Sequence, residues 1–387
     1  IATLGLPHEP RDYQINAFIN AINYKRILII SPTASGKSFI IYLIMRLLQD
    51  AGLKRGLLVV PNTSLCYQMF EDFKSYGYNS EDNCHIIHSG KDKNSNKFIN
   101  ISTWQSIYQL DQEYFEQYDF VINDEVHLAK AKSLISILEK LVNAKYRIGC
   151  TGTLDNSQTH KTVLEGLFGP IYKTISTSEL IENGALSKFK INCIVLKHQP
   201  VDNSKWEYKD EMDYLVQCND RNNYIKNLTL SLKGNTLLLF QYVEKHGNEL
   251  YNLISKSGID RKVFYIHGKV DVNNREEIRK IVETEKNAII IASYGTYSTG
   301  INIKNLHNVI FASPSKSIFR NLQSIGRVLR KGSDKEEAVL YDISDDLRTN
   351  NKEKMNFTLA FLIERLNIYN SEKFDYKIYV LCDIIYY

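Results

Sequence analysis

The sequence predicts an α/β protein built from two tandem parallel-sheet domains. Three observations carry that reading: short runs of uniformly apolar, β-rich residues, helical patterns between them, and a second series that repeats the alternation. A strand covered by helices on both faces reads as a continuous apolar run, and strands alternating with helices are the signature of a parallel sheet. At 387 residues the chain is long enough for two or three domains. A hydrophobic share of 43% against 24% charged residues describes a chain that packs a core. Few prolines and no low-complexity run exclude a disordered protein.

The first series of strands is Arg26–Ile30, Gly56–Val60, Lys97–Ser102, Asp119–Ile122 and Arg147–Cys150. The second is Lys190–Leu196, Thr236–Phe240, Val263–His267, Ala288–Ala292, Asn308–Ala312 and Ala338–Asp342. The boundary falls near Ile175–Ser187, where Ser176–Gly184 reads as a short helix stopped by Asn183-Gly184 and a new strand starts at about Phe189. Between Pro200 and Lys233 the chain is polar and reads as an insertion or a surface helical excursion. After Asp346 a Lys/Asn-rich stretch leads to an amphipathic helix near Met355–Ile368 and a Tyr-rich tail. The expected domains are therefore residues 1–175 and 176–347, with 348–387 as a C-terminal helical and Tyr-rich extension.

The formal net charge of +4 excludes wholesale coating of a polyanion but leaves room for a local basic groove. Apolar runs fall far short of the ~18 residues a membrane helix needs. The six cysteines (66, 84, 150, 193, 218 and 382) form no Cys-x-x-Cys pair, so no zinc site is expected. Scattered single cysteines and the absence of a signal-peptide pattern point to an intracellular, reducing compartment. The chain starts without Met, and a missing N-terminal segment is expected. No wide heptad stripe is visible, so a monomer is expected.

The strongest local signal is Ser31-Pro-Thr-Ala-Ser-Gly-Lys-Ser38, between the strand Arg26–Ile30 and the helical pattern Ser38–Gln49. In that setting backbone N–H groups and the helix N-terminus face a polyphosphate. Thr33, Ala34, Ser35 and Gly36 form the candidate cradle. Lys37 can reach the β and γ phosphates, and the Ser38 hydroxyl can ligate Mg²⁺. Ser31 stands where the general pattern has its first glycine. Further on, Val121-Ile-Asn-Asp-Glu-Val-His127 delivers two carboxylates at the C-terminal end of an apolar strand, where ligands bind in open α/β sheets. Asp124 is the expected Mg²⁺ ligand, and Glu125 the group that orients and deprotonates an attacking water. In Gln323-Ser-Ile-Gly-Arg-Val-Leu-Arg330, Arg327 and Arg330 share one face of a helix and can point at one anion. An arginine that stabilises charge in phosphoryl transfer is worth ~10³–10⁵ in rate elsewhere. If the two serve the nucleotide on Lys37, the ATP site is a cleft between the domains.

Phosphate loop, Asp-Glu-x-His and Gln-x-x-Gly-Arg-x-x-Arg, in this order, resemble superfamily 2 helicases and translocases. The resemblance spans about residues 9–347 and implies two RecA-like domains with ATP and Mg²⁺ between them. Arg11-Asp-Tyr-Gln14 resembles the adenine-recognition motif, which nominates Arg11 and Gln14. Pro61–Gln68 and Ser102–Ser106 resemble motifs Ia and Ib, and Gly149–Leu154 stands where motif III belongs. Phe240–Lys245 resembles motif IV, Ile266-His-Gly268 with Arg275 the next motif, and Ala292–Ile303 motif V. The nucleotide set thereby gains Gly300, Asn302 and Gln323. Within the superfamily, residues 123–129, 292–307 and 325–331 look like phage UvsW-type branched-DNA helicases. That implies unwinding or branch migration of forks, Holliday junctions or R-loops in phage recombination and replication, with 3′→5′ polarity.

The same resemblance nominates Thr63, Thr103 and Thr299 as contacts to a DNA backbone, since a motor that runs on any sequence grips phosphates. Trp104 is the candidate base-stacking residue. His127, Thr151 and Thr153 are the candidates for coupling hydrolysis to DNA. Three other readings stay open: a restriction-enzyme-type translocase subunit, an RNA helicase, and a nucleic-acid-binding module with a degenerate ATPase. Asp-Glu-Val-His in place of Asp-Glu-Ala-Asp weighs against the RNA helicase, and the intact Lys37, Asp124, Glu125, Arg327 and Arg330 weigh against the degenerate module.

Overall fold

Uniformly apolar runs become the central strands of two separate parallel sheets in the computed structural model of the chain. The structure describes residues 4–88, 92–128, 131–154, 158–199, 201–203, 205–300, 303, 305–313, 325–326, 328–329, 335–348 and 354–382. The chain divides into two units, Ile1–Ser176 and Thr177–Tyr387.

The first unit holds β1 (Arg26–Ile30), β2 (Gly56–Val60), β3 (Cys84–Ile87), β4 (Ile99–Thr103), β5 (Phe120–Asn123), β6 (Tyr146–Thr151) and β7 (Ile171–Lys173). All are parallel, in the order β3-β4-β2-β5-β6-β1-β7. Successive residues of a strand face opposite sides, and each side has its own core. Ile27, Ile29, Leu58 and Val60 pack with helices α1 (Asp12–Tyr24), α2 (Lys37–Asp50) and α3 (Thr63–Ser75). Leu28, Leu57 and Val59 face the other way, onto Leu134, Ile137, Leu138, Leu164 and Phe168. The chain leaves β1 for β2 across β5 and β6, so the carboxyl ends of β1, β6 and β5 lie side by side. That break in strand order is where parallel sheets open a crevice.

The second unit holds β8 (Lys188–Lys197), β9 (Thr236–Phe240), β10 (Val263–Ile266), β11 (Ile289–Ser293), β12 (Asn308–Phe311), β13 (Glu337–Asp346) and β14 (Asp375–Leu381). It is again all parallel, in the order β10-β11-β9-β12-β13-β8-β14. The polar stretch expected as an insertion or surface excursion forms two helices, Tyr208–Gln217 and Asn219–Ser231, and both are fastened into the domain. Arg221 is fully buried; its Nε donates to Asp345 Oδ1 at 2.8 Å and its Nη2 to the Ala312 carbonyl at 2.8 Å. His198 Nε2 lies 2.9 Å from the same Asp345 oxygen. Glu211 accepts from the backbone amides of Phe357 (2.7 Å) and Thr358 (2.7 Å), so it caps the helix Phe357–Ser371 from a distance. From that helix the buried Arg365 donates to Asp342 Oδ2 at 2.8 Å. The tail expected as an extension supplies β14, which pairs with β8 and belongs to the second sheet. Among the described residues no helix is long and apolar enough to cross a membrane.

Asp345 carries the charge balance of this region. Burial opposes its ionisation, but Arg221 and His198 hold its carboxyl down at about 2, and Asp345 and Cys218 raise His198 to about 9 against the cost of burial. Asp345→Ala leaves two buried cations uncompensated and is expected to destabilise the second unit by about 3–5 kcal/mol. Fluorescence of Trp206 during urea unfolding of the full chain, on a Trp104→Phe background, reads this. The His198 contribution is complete below its ordinary value of 6.5 and is lost as pH rises through about 9. In the same experiment the Trp206 transition is therefore expected at lower urea at pH 9.5 than at pH 6, and the shift should shrink in Asp345→Ala.

Candidate active site

The loop after β1 is held open by its own hydroxyls. Ser31 and Ser35 are fully buried, with their Oγ atoms 2.6 Å apart. Ser35 Oγ also donates to the Pro32 carbonyl at 2.6 Å, and Thr174 Oγ1 donates to Ser31 Oγ at 3.1 Å. Ser31 N donates to the Thr151 carbonyl at 2.9 Å, which ties the loop to β6. Ala34 and Gly36 take left-handed backbone angles, φ 67° and 81°, and turn the chain into α2. Glycine suits that angle, and a Cβ there would also displace the end of the Gln14 side chain that braces the loop.

Lys37, at the first turn of α2, crosses to the acidic pair at the end of β5. Its Nζ lies 2.9 Å from Asp124 Oδ1 and hydrogen-bonds Glu125. Burial disfavours the ammonium, but the two carboxylates more than offset that and hold its pKa above the ordinary value. Burial also pushes Asp124 up, with Lys37 opposing, while in Glu125 the charges of Lys37 and His127 overcome burial and hold the carboxyl down. The two adjacent acids are thus driven in opposite directions. Glu125 itself sits at φ 47°, and its amide donates to Asp124 Oδ1 at 2.9 Å.

His127 stands on the short turn Val126–Leu128, its side chain fully buried, with Nδ1 3.3 Å from Glu125 Oε2 and 2.7 Å from Thr151 Oγ1. The Thr151 hydroxyl spends its proton on the Thr153 carbonyl at 2.7 Å, so Nδ1 is the donor toward Thr151. Glu125, His127, Thr151 and the Thr153 carbonyl therefore form one connected set. Thr153 Oγ1 and Glu125 Oε2 are buried without hydrogen-bond partners among the described residues.

The Asp124 carboxylate and Ser38 hydroxyl are hard oxygen donors of the kind Mg²⁺ takes, and the Glu125 carboxylate, held ionised beside them by Lys37 and His127, fits a water-handling role. The Ser38 hydroxyl pairs with the Tyr76 hydroxyl at 2.9 Å. Gln14 is buried and braces the loop: its Nε2 donates to the Ser35 carbonyl at 3.0 Å, and its Oε1 accepts from Arg11 N at 2.9 Å. Tyr13 donates to the same carbonyl at 2.7 Å. Tyr13, Tyr76 and Thr174 are contributions that residue patterns missed, because only the tertiary fold brings them to the loop.

The DNA-contact candidates divide. Thr63 is exposed at the start of α3. Thr103 is instead buried, its hydroxyl 2.8 Å from Ser106 Oγ, and Trp104 packs edge-on against Tyr108 in the core cluster at 6.2 Å. Exposed Gln105, the next residue along, donates to the Pro61 carbonyl at 3.1 Å and links the ends of β4 and β2. Thr299 and Gly300 end the helix Tyr294–Gly300. Asn302, Gln323, Arg327 and Arg330 lie outside the described residues. In the second unit, Gln241, Tyr242, Gly268, Arg275, Ser293 and Thr296 line a cavity of about 640 Å³ at the carboxyl ends of β9, β10 and β11. Arg275 Nη2 donates to the Gly268 carbonyl at 2.9 Å, while its buried Nε has no hydrogen bond among the described residues.

Residues 7–156 match the family model of the type III restriction enzyme res subunit, and residues 220–332 that of the helicase conserved C-terminal domain. The chain is 36% identical to the ATP-dependent DNA helicase uvsW of Enterobacteria phage T4, over 95% of this chain and 76% of that protein. It is 26% identical to the DNA 3′-5′ translocase XPB2 of Sulfurisphaera tokodaii, over 87% of this chain and 81% of the relative. A fragment of a putative HsdR subunit of a type I restriction enzyme from Vibrio vulnificus shares the fold at a TM-score of 0.71 and 18% identity, covering 98% of this chain and 70% of that one.

Gly36→Ala meets both the unfavourable backbone angle and the contact with Gln14. It is expected to weaken binding of a fluorescent ATP analogue at least ~10-fold, with the melting temperature of the chain changed by only a few degrees. A titration with unchanged affinity would show that the loop does not cradle the nucleotide.

Proposed function

The chain belongs to the superfamily 2 helicases of the UvsW type, and from that premise we propose that it is an ATP-driven DNA motor that unwinds or branch-migrates forks and junctions in phage recombination and replication. The observation that carries the reading is the buried Lys37 cation held by Asp124 and Glu125 beneath a strand–loop–helix phosphate cradle. The restriction-enzyme description attaches to residues 7–156, the span of that cradle and acid pair, so it accords with a motor half shared between the two kinds of protein.

The backbone of Thr33–Gly36 and the α2 N-terminus take the polyphosphate, and Lys37 turns from the carboxylates to its β and γ oxygens. Arg11 and Gln14 take the adenine side. Ser38 and Asp124 would hold Mg²⁺, which would supply neutralisation of charge on the phosphates. Glu125 orients and deprotonates the attacking water; His127, through Thr151 and Thr153, carries the state of that carboxylate to the end of β6. Gly300, Asn302 and Gln323 complete the nucleotide contacts, and Arg327 and Arg330 stabilise charge on the transferred phosphoryl group. Thr63 and Thr299 grip one DNA strand by its phosphates, with Gln105 in place of the buried Thr103.

Glu125→Gln keeps the shape of the site and loses the base. It is expected to bind nucleotide and DNA but to turn over at least ~10² slower. Lys37→Ala should lose turnover altogether, and Arg327→Ala or Arg330→Ala should lower kcat at least ~10². ATPase stimulation and unwinding on four-way junctions, forks, linear duplexes and structured RNA, each at two salt levels, test the substrate. Branched DNA should stimulate most and binding should fall steeply with salt. Equal activity on all four, or activity with RNA alone, would reject the branched-DNA assignment and leave the motor standing.

A further inference from the structure

The phosphate-loop pattern ends at Ser38, but the Ser38 hydroxyl takes its partner from beyond another helix. Its Oγ lies 2.9 Å from the hydroxyl of Tyr76, the residue that follows α3. Asp124, the other expected Mg²⁺ donor, is engaged elsewhere: its Oδ1 lies 2.9 Å from Lys37 Nζ and accepts from the Glu125 amide at 2.9 Å.

The half-buried Tyr76 is fastened in place by groups other than its hydroxyl. Its ring packs edge-on against Phe39, with centroids 4.9 Å apart, and tilted against Tyr42 at 5.3 Å. Phe39 follows Ser38 on α2, and Tyr42 stands about one turn after Ser38. The Tyr76 amide donates to the Asp72 carbonyl at 3.0 Å. Its carbonyl accepts from the Tyr42 hydroxyl at 3.3 Å, and that hydroxyl accepts in turn from Arg46 Nη1 at 3.1 Å. A phenylalanine would make every one of these contacts. None of them uses the phenolic oxygen, which reaches Ser38.

A serine hydroxyl carries one proton and two lone pairs. Between two hydroxyls either can donate. A cation on the serine oxygen settles the order, because it draws on a lone pair and repels the proton. We propose that Tyr76 is a positioning residue of the Mg²⁺ site: its phenolic oxygen accepts the Ser38 proton and leaves a Ser38 lone pair for the cation. This rests on the reading of Ser38 as a Mg²⁺ ligand. Tyr76 acts through Ser38, as a partner behind a ligand that fixes the ligand's orientation. Without it the Ser38 hydroxyl turns freely, and its proton competes for the side that faces the cation. The metal-linked part of nucleotide binding therefore depends on the Tyr76 hydroxyl, and the metal-free part does not.

The test reads binding, not turnover. A fluorescent, non-hydrolysable ATP analogue is titrated onto the folded full chain without divalent metal and then with increasing Mg²⁺. Tyr76→Phe keeps the ring and its packing, and the melting temperature checks that the fold is kept. It is expected to leave the metal-free affinity within ~2-fold of wild type and to raise the Mg²⁺ concentration at half-maximal tightening about 10-fold. Ser38→Ala should raise that midpoint at least as far. Adding Tyr76→Phe to Ser38→Ala should move it no further, because the two hydroxyls act as one unit. A Tyr76→Phe midpoint equal to that of wild type, with Ser38→Ala shifted, overturns the proposal and leaves Ser38 as the ligand. A further shift in the double variant overturns it too. So does an equal loss of metal-free affinity in Tyr76→Phe, which would make the hydroxyl a support of the loop. A wild-type chain with no Mg²⁺-dependent tightening, or an unshifted Ser38→Ala, sinks the Mg²⁺ reading of Ser38 and the proposal with it.

Discussion

A lysine held by two carboxylates at the carboxyl edge of a parallel sheet is the interaction on which the first unit's site depends. Asp124 and Glu125 are consecutive and largely buried, an arrangement that like-charge repulsion and lost hydration both oppose. The Lys37 ammonium, 2.9 Å from Asp124, makes it tolerable. Because Lys37 opens α2 and the acids close β5, the ion cluster also sets the start of one helix against the end of a strand two places away in the sheet. The strand between is β6, and its last residue serves both sides. The Thr151 carbonyl fastens the phosphate loop at Ser31, and its hydroxyl receives the His127 proton. The loop and the acid pair thus share a support that is neither of them.

The serine that replaces the usual first glycine of the loop finds its explanation in the same region. A buried hydroxyl needs partners. Ser31 has them in Ser35 and Thr174, and these bonds pin the first residue of the loop while Ala34 and Gly36 make the left-handed turn. The loop is shaped by hydroxyls at its base and by positive φ at its crest, and glycine suits the position of Gly36, where the end of the Gln14 side chain closes in.

Much of this was legible in the residues because it is local. The central strands are apolar on both faces and announce themselves; β1, β2 and β9 coincide with the expected runs, and the others move by a few residues at their ends. The strands β3, β7 and β14 escaped because they are short or lie at sheet edges, where one side has no neighbour and the apolar run is broken. In β14 the exposed Ile378, Tyr379 and Val380 alternate with nothing buried, so the tail read as composition rather than as a strand. Lys37, Asp124 and Glu125 were visible because their chemistry is carried by consecutive residues after an apolar strand. Tyr76, Thr174 and the burial of Thr103 were not, since each depends on a neighbour distant in sequence or on the depth of a strand end. Polar composition between Pro200 and Lys233 suggested a surface excursion, whereas Arg221 and Glu211 are polar because they bind the interior.

The two sheets place charge at the same edge and use it differently. In the first, Lys37 and Glu125 keep 13% and 17% of their side-chain surface exposed, so an anion arriving from solvent can exchange for the carboxylates as the partner of the lysine. In the second, the side chains of Arg221 and Asp345 are exposed by 1% and 0%, and Arg221 also holds the Ala312 carbonyl at the end of β12. No anion from solvent reaches that pair without opening the domain. The accessible pair can change partners during a reaction, while the enclosed one fixes the ends of β12 and β13 and the helices packed on them.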